Sequence, residues 1–147
     1  MTKQNIVDIL SDIFIPQGFK KKGNYWVANG KEINKMVDLQ KSQYSNSFYI
    51  NYGFIINAIP LTGLKTHIFG RLGSMNKSEQ IRINQLMDLE NEISDVSRAV
   101  ELDHFIRDKV MRRLNSVNNE PELLEYIYKL PTLNMVPGVV KNYFNIE

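Results

Sequence analysis

Hydrophobic residues near the start of the chain recur at the spacing of an amphipathic helix. Ile6, Leu10 and Ile13 lie on one side of a helical wheel, and polar residues fill most of the rest. Pro16 and Gly18 are expected to end this helix, because both residues interrupt regular helical structure. The apolar stripe of such a helix needs a flat surface to cover, and the residues that follow predict a sheet.

A β-hairpin is predicted directly after the helix. Residues 25–28 form a short aromatic strand, Asn29-Gly30 is the typical residue pair of a type I′ turn, and a second strand covers residues 31–40. A two-residue loop would pair Ala28 with Lys31, and therefore Trp26 with Ile33.

A third strand is predicted over residues 48–57, where apolar and polar side chains alternate. The apolar set forms a core face, and its members are Phe48, Ile50, Tyr52, Phe54 and Ile56. A one-residue slip against the preceding strand would bring Asp38 and Gln40 onto that face. We therefore expect Asn51 to lie opposite Gln40, with a loop over residues 44–47.

A fourth strand over residues 66–72 completes the predicted sheet, and the hydrophobic period then changes from two to about 3.6. Asn76 and Glu79 resemble a capping box, which predicts that a helix starts there. Two further helices are expected, one through residues 102–117 and one from Pro121 to Pro131. The tail should pack along the body. The predicted fold is one α+β domain over residues 1–147, with an N-terminal helix, about four antiparallel strands and C-terminal helices in two layers.

Composition agrees with a single globular domain. The chain has 147 residues, of which 43% are hydrophobic and 23% charged. It contains no cysteine, which excludes disulfides, thiolate zinc sites and cysteine nucleophiles and fits a reducing compartment. No apolar stretch is long enough for a membrane helix and no signal peptide is evident, so a cytoplasmic location is expected.

Charge is distributed unevenly along the chain. Residues 1–82 contain 11 Lys and Arg against 5 Asp and Glu, whereas residues 83–147 contain 7 against 11. Lys20, Lys21 and Lys22 form the one basic run. A solvated loop is the favoured interpretation of this run, and nucleic-acid binding is the alternative.

Several short motifs resemble a family of small bacterial domains of unknown function, DUF family 4304. The resemblance covers roughly residues 5–75 and implies an α+β bacterial protein with no established activity. The motifs that carry it are Gly18-Phe19-Lys20-Lys21-Lys22-Gly23, Leu39-Gln40-Lys41-Ser42, residues 48–53, and Arg71-Leu72-Gly73.

The usual catalytic signatures are absent from the sequence. There is no glycine-rich phosphate loop, no G-x-S-x-G and no H-E-x-x-H, and the acidic residues match no calcium loop. No cofactor, metal site or catalytic residue is therefore predicted, and no sequence feature indicates an oligomeric state.

The predicted strand registers bring polar and aromatic side chains onto the sheet face opposite the core. Amides, hydroxyls, one carboxylate and one guanidinium suit recognition by hydrogen bonding and stacking. The alternative is that the face has no binding role, because antiparallel sheets commonly expose one polar face to water. The candidate ligand-binding residues on this face are Asp38, Gln40, Tyr49, Asn51, His67 and Arg71.

Three hypotheses of function follow. The favoured one is a non-catalytic module that binds a protein or a small polar ligand through the polar sheet face. The second is a nucleic-acid-binding domain that uses the basic N-terminal half and Lys20 to Lys22. The acidic second half of the chain argues against this hypothesis. The third is a hydrolase-like enzyme that uses His67 and Arg71 with Asp38.

Overall fold

The computed structural model describes residues 1–146 and contains six α-helices, a five-stranded sheet and two short irregular helical turns. The strands are β1 Lys20–Lys22, β2 Tyr25–Ala28, β3 Ile33–Lys41, β4 Phe48–Ile56 and β5 Ile68–Arg71. The α-helices are α1 Lys3–Phe14, α2 Lys77–Met87, α3 Asp95–Ile106, α4 Arg112–Asn115, α5 Glu120–Tyr128 and α6 Gly138–Phe144. A 3-10 turn, Ile15–Gln17, follows α1, and a π-helical turn, Arg107–Met111, joins α3 to α4.

The sheet is an antiparallel meander in the order β1-β2-β3-β4-β5. The predicted α+β class is confirmed: one helix precedes the sheet and the other helices follow it. None of the helices in the described residues is both long and apolar enough to cross a membrane.

The core lies between one face of the sheet and the helices. Trp26 of β2 is fully buried, and its Nε1 donates to Ser11 Oγ of α1 at 3.1 Å. On β4, the Phe54 ring makes an edge contact with Tyr126 of α5, with 5.1 Å between ring centroids. The helices therefore cover the face that the alternation of apolar residues predicts as the core.

The predicted two-residue hairpin turn is wrong. Trp26 pairs with Val37 rather than Ile33, and six residues separate the last paired residues of the hairpin, Ala28 and Lys35. Neither residue of Asn29-Gly30 has the positive φ that a type I′ turn needs. The Asn57 side chain donates to the carbonyl oxygen of Gly30 at 2.9 Å, so a residue far along the chain shapes this loop.

The β3–β4 register also differs from the prediction. Asp38 lies opposite Asn51, and Gln40 lies opposite Tyr49, which is a shift of two residues. The shift keeps every side chain on its expected face, because side chains alternate with a period of two. The connection is correspondingly longer than predicted and covers residues 42–47.

Lys20 to Lys22 form a strand rather than the expected loop. All three residues are exposed, and β1 pairs antiparallel with β2 at one edge of the sheet. Lysine on an edge strand discourages pairing with a second sheet, so the basic run has a structural use whether or not it binds a ligand.

The helix boundaries follow local capping signals. The Asn76 side chain caps α2 by accepting from the backbone N–H of Glu79 at 3.0 Å. The predicted capping box is only half formed, because the Asn76 backbone N–H donates to Ser74 rather than to Glu79. Asn119 caps α5 in the same way, with Pro121 in its first turn. The predicted helix through residues 102–117 begins earlier, after its cap at Ser94. The tail packs on the core through Val140 of α6.

Candidate functional site

The sheet face opposite the core, called the open face here, is accessible to solvent. Tyr25 and Tyr49 are each 37% exposed and Phe69 is 56% exposed, so three aromatic rings contact water there. The strand pairings assign to this face Lys20, Lys22, Tyr25, Val27, Asn34, Met36, Asp38, Gln40, Tyr49, Asn51, Gly53, Ile55, Phe69 and Arg71.

Asn51 is the centre of a hydrogen-bonded cluster on the open face. It lies on β4 between β3 and β5 and is only 4% exposed. Its Nδ2 donates to Asp38 Oδ1 at 3.0 Å and to Gln40 Oε1 at 2.8 Å. Its Oδ1 accepts from Arg71 Nε at 2.8 Å. The amide therefore uses both of its donor hydrogens and its oxygen to hold three side chains from neighbouring strands.

Arg71 is held in one orientation by neutral groups. Besides the bond to Asn51, its Nη2 donates to Gln40 Oε1 at 3.2 Å. Its guanidinium carbon lies 4.2 Å from the centroid of the Tyr49 ring and 5.9 Å from that of Phe69. Within residues 1–146 no carboxylate oxygen approaches the guanidinium to 4.0 Å. The positive charge of Arg71 is thus oriented but not neutralised.

Asp38 has a weak cationic partner. Lys65 Nζ lies 3.9 Å from its Oδ2, and the lysine side chain is largely exposed, so this ion pair contributes little. Lys65 and Thr66 belong to the segment that leads into β5. Thr66 lies against Gly53, where an added Cβ would stand 2.5 Å from Thr66 Oγ1. Glycine at position 53 therefore lets this segment lie on the open face.

Three cavities adjoin the cluster, and the largest, which Arg71 also lines, is described below. One of about 110 Å³ is lined by Asp38, Gln40, Asn51 and the Lys65-Thr66 segment. Another, of about 440 Å³, lies between β4 and α2 and has Tyr49 and Arg71 in its wall.

Five of the six predicted site residues form this arrangement, and His67 does not take part. The His67 ring is buried, and its Nδ1 accepts from the backbone N–H of Ile56 at 2.8 Å. Its Nε2 lies 2.9 Å from the Pro60 carbonyl oxygen, to which it donates in the matching tautomer. Both ring nitrogens therefore bond to the backbone and secure the connection between β4 and β5. The hydrolase hypothesis needs a ring nitrogen free to bond Asp38, and this geometry provides none.

The three lysines of β1 lie at the opposite edge of the sheet from Arg71. Lys20 and Lys22 share the open face, whereas Lys21 lies on the core side at the rim, with its Nζ 5.8 Å from the Trp26 ring centroid. Four strand spacings separate β1 from β5, which corresponds to roughly 19 Å. The basic run is thus not part of the Arg71 cluster.

The sequence-based site missed Phe69, Lys65 and Thr66. Phe69 shares the alternation of His67 and Arg71, which predicts it on the open face, but it was not among the candidate ligand-binding residues. The position of Lys65 and Thr66 depends on the path of a loop, for which the sequence carries no comparable signal. No group of three or more His, Cys, Asp or Glu residues within residues 1–146 is arranged to hold a metal ion.

One family model matches the chain. It is described as a domain of unknown function, DUF4304, and it matches residues 10–116. The match extends well past residue 75, where the sequence resemblance was expected to end, and includes α2, α3 and α4. No curated protein and no solved structure matches the chain.

Proposed function

Because the chain belongs to the DUF4304 family, a family of unknown function, we propose a function from the geometry of the open face. The protein is a non-catalytic binding module that recognises a partner protein through this face. A reducing compartment such as the bacterial cytoplasm suits it, because the chain contains no cysteine.

The observation that carries this proposal is the state of Arg71. Asn51, Gln40 and Tyr49 hold the guanidinium in place without neutralising it. A preorganised arginine loses little conformational freedom on binding and presents its remaining N–H groups to an incoming carboxylate. Arginine and tyrosine are also the residue types that most often dominate the energy of protein interfaces.

The charge of the open face indicates the character of the partner. Lys20, Lys22 and Arg71 lie on it, with Lys65 beside them, whereas Asp38 is its one carboxylate among the strand residues. A partner surface with exposed Asp or Glu would complement this charge. The cavity between Asp38, Gln40 and Asn51 is only about 110 Å³, below the usual size of a small-molecule pocket.

A second candidate function is single-stranded nucleic-acid binding. One observation favours it: Tyr25, Tyr49 and Phe69 expose their rings on the same face as the lysines and Arg71. Sheets that bind single strands stack bases on such rings. The net charge of the whole chain is only +2, which gives little attraction for a phosphate backbone, and the carboxylate of Asp38 within the cluster repels phosphate.

Affinity capture with matched variants tests the proposal. The immobilised protein is incubated with an extract of its source cells, and the amount of each stoichiometric partner is compared between wild type, Arg71→Ala and Gln40→Ala. Arg107→Ala is the control, because Arg107 is an exposed arginine on the helical side that bonds Asp103. We expect Arg71→Ala to weaken partner binding by about tenfold or more, as for an interface hot spot. Gln40→Ala should weaken it less, and the control should bind as wild type does.

Thermal unfolding of the same variants separates binding from folding. Because Arg71 and Gln40 are exposed, their replacement should change the free energy of unfolding by under about 0.5 kcal/mol. Equal capture by wild type and Arg71→Ala would refute the proposal. A labelled single-stranded oligonucleotide that binds with a steep loss of affinity at higher salt would favour the second candidate instead.

A further inference from the structure

A larger cavity lies beyond the outer edge of β5, between this strand and the C-terminal helices. Its volume is about 710 Å³, within the range of small-molecule sites. Phe69, Tyr52 and Tyr126 line it together with Leu130 and Pro131, and most of its lining surface is apolar. It is therefore a largely apolar cavity of ligand size, which adjoins the open face at Phe69 and Arg71 but extends to the C-terminal helices.

Tyr52 reaches this cavity by passing beneath β5. Its ring lies against Gly70, where an added Cβ would stand 2.5 Å from Tyr52 Cζ, so only glycine leaves room for it. The Tyr52 hydroxyl accepts from Arg113 Nη1 at 2.7 Å. Burial, together with the adjacent Tyr52 hydroxyl, raises the pKa of Tyr126, which therefore remains a neutral phenol at physiological pH.

The cavity wall is cationic. Arg71, Arg112, Arg113 and Lys129 line it, and none of its lining residues is Asp or Glu. Arg112 bonds Asp108 at 3.2 Å. Arg113 differs, because no carboxylate oxygen in the described residues lies within 4.0 Å of its guanidinium. It donates to the neutral hydroxyl of Tyr52, and Asp108 acts on it only from a longer distance.

We propose that this cavity binds a small organic anion, with its carboxylate or phosphate at Arg113 and its apolar body against Phe69, Tyr126 and Leu130. A largely apolar wall that also carries cations is the composition that recognises such a molecule, because the apolar part favours burial and an oriented guanidinium fixes the position of the anionic group. The site goes beyond the proposed partner binding, since Arg113 lies on the helical side of β5 and takes no part in the open face.

Three probes that share one ring system test the chemistry. 1-Naphthoate and 1-naphthyl phosphate carry the two anionic groups, and 1-naphthol is the neutral control. Each is titrated into the isotope-labelled full chain while backbone amide chemical shifts are recorded. We expect at least one anion to bind about tenfold more tightly than 1-naphthol, which corresponds to about 1.4 kcal/mol. The largest shifts should fall at Gly70, Gly73 and Tyr126. Comparison of the two anions identifies the preferred group.

Substitutions then test the role of Arg113. Arg113→Gln should weaken binding of the preferred anion by about tenfold, and Arg113→Lys, which keeps the charge, should retain part of the affinity. Arg107→Gln makes the same change of charge on an exposed arginine outside the cavity and should bind as wild type does. The amide spectrum of each variant shows whether it is folded. If Arg113→Gln does not fold, Arg113→Lys and the comparison with 1-naphthol still decide the question.

Three results would overturn the proposal. The first is binding of 1-naphthol as tight as that of both anions. The second is an unchanged affinity in a folded Arg113→Gln variant. The third is a set of chemical shifts confined to the open face rather than to the cavity beyond β5.

Discussion

Arg71 and Arg98 both have neutral hydrogen-bond acceptors, but their surroundings give them opposite roles. Arg71 is exposed and keeps N–H groups free for another molecule. Arg98 is only 1% exposed, and its guanidinium donates to backbone carbonyls that include Leu86 and Asn91, the latter at 2.8 Å. Leu86 lies in the last turn of α2, where the helix dipole favours a cation. Arg98 therefore joins α3 to the end of α2.

The first residue-scale prediction concerns this buried arginine. Arg98→Met keeps the length of the side chain but leaves several carbonyl groups without a donor, so it should lower the free energy of unfolding by about 2 to 4 kcal/mol. Arg107→Met is the matched control and should lower it by under about 0.5 kcal/mol, because Arg107 is exposed. Urea unfolding of both variants measures the difference. Equal stability of the two would show that Arg98 does not support the fold.

At the scale of the elements, the loop between β2 and β3 shows how a distant residue can override a local turn signal. Asn57, just after β4, donates to the carbonyl oxygens of Gly30 and Lys31 and to the side chain of Asn34. Its backbone N–H also bonds the Glu32 carbonyl at 2.9 Å. These bonds hold the loop in a wider shape than the two-residue turn.

This explanation predicts unequal effects for two asparagines. Asn57→Ala removes the side-chain bonds to the loop and should lower the free energy of unfolding by about 1 to 2 kcal/mol. Asn29→Ala should change it by under about 0.5 kcal/mol, because Asn29 is exposed and does not occupy a type I′ turn. Thermal unfolding of both variants compares them. A larger effect at Asn29 than at Asn57 would favour the two-residue turn.

Sequence patterns succeeded where the determining interaction is local. Helix starts at Asn76 and before Pro121 depend on neighbouring residues, and the faces of β3 and β4 depend on alternation, so both were predictable. Strand registers were not predictable, because shifts of two or four residues leave the alternation of side chains unchanged. β1 was missed because its lysines have little strand preference and depend on pairing with β2.

The candidate site was predictable as far as it depends on the alternation of side chains along the strands. Asp38, Gln40, Tyr49, Asn51 and Arg71 share one face in any register that preserves alternation, so the shift of two residues kept them together. His67 lies just outside β5, where alternation no longer determines the direction of the side chain, and its ring turns to the backbone instead.

At the scale of the whole molecule, the uneven distribution of charge along the chain corresponds to the division between sheet and helices. The basic first part of the chain forms the sheet and its open face, while the more acidic second part forms most of the helical layer. β5 lies at the sheet edge between two surfaces with different chemistry: the open face with Arg71 and the apolar cavity with Arg113. We expect the first to bind a protein and the second to bind a small anion.

The most direct measurement of the central claim is a map of the partner's contact surface on the isotope-labelled protein by amide chemical shifts. The partner recovered by affinity capture is added to the labelled chain. The account predicts that the largest changes fall on Gln40, Tyr49, Phe69 and Arg71, with little change in α1, because α1 covers the opposite face of the sheet. Changes concentrated in the helical layer, with Arg71 unaffected, would contradict it.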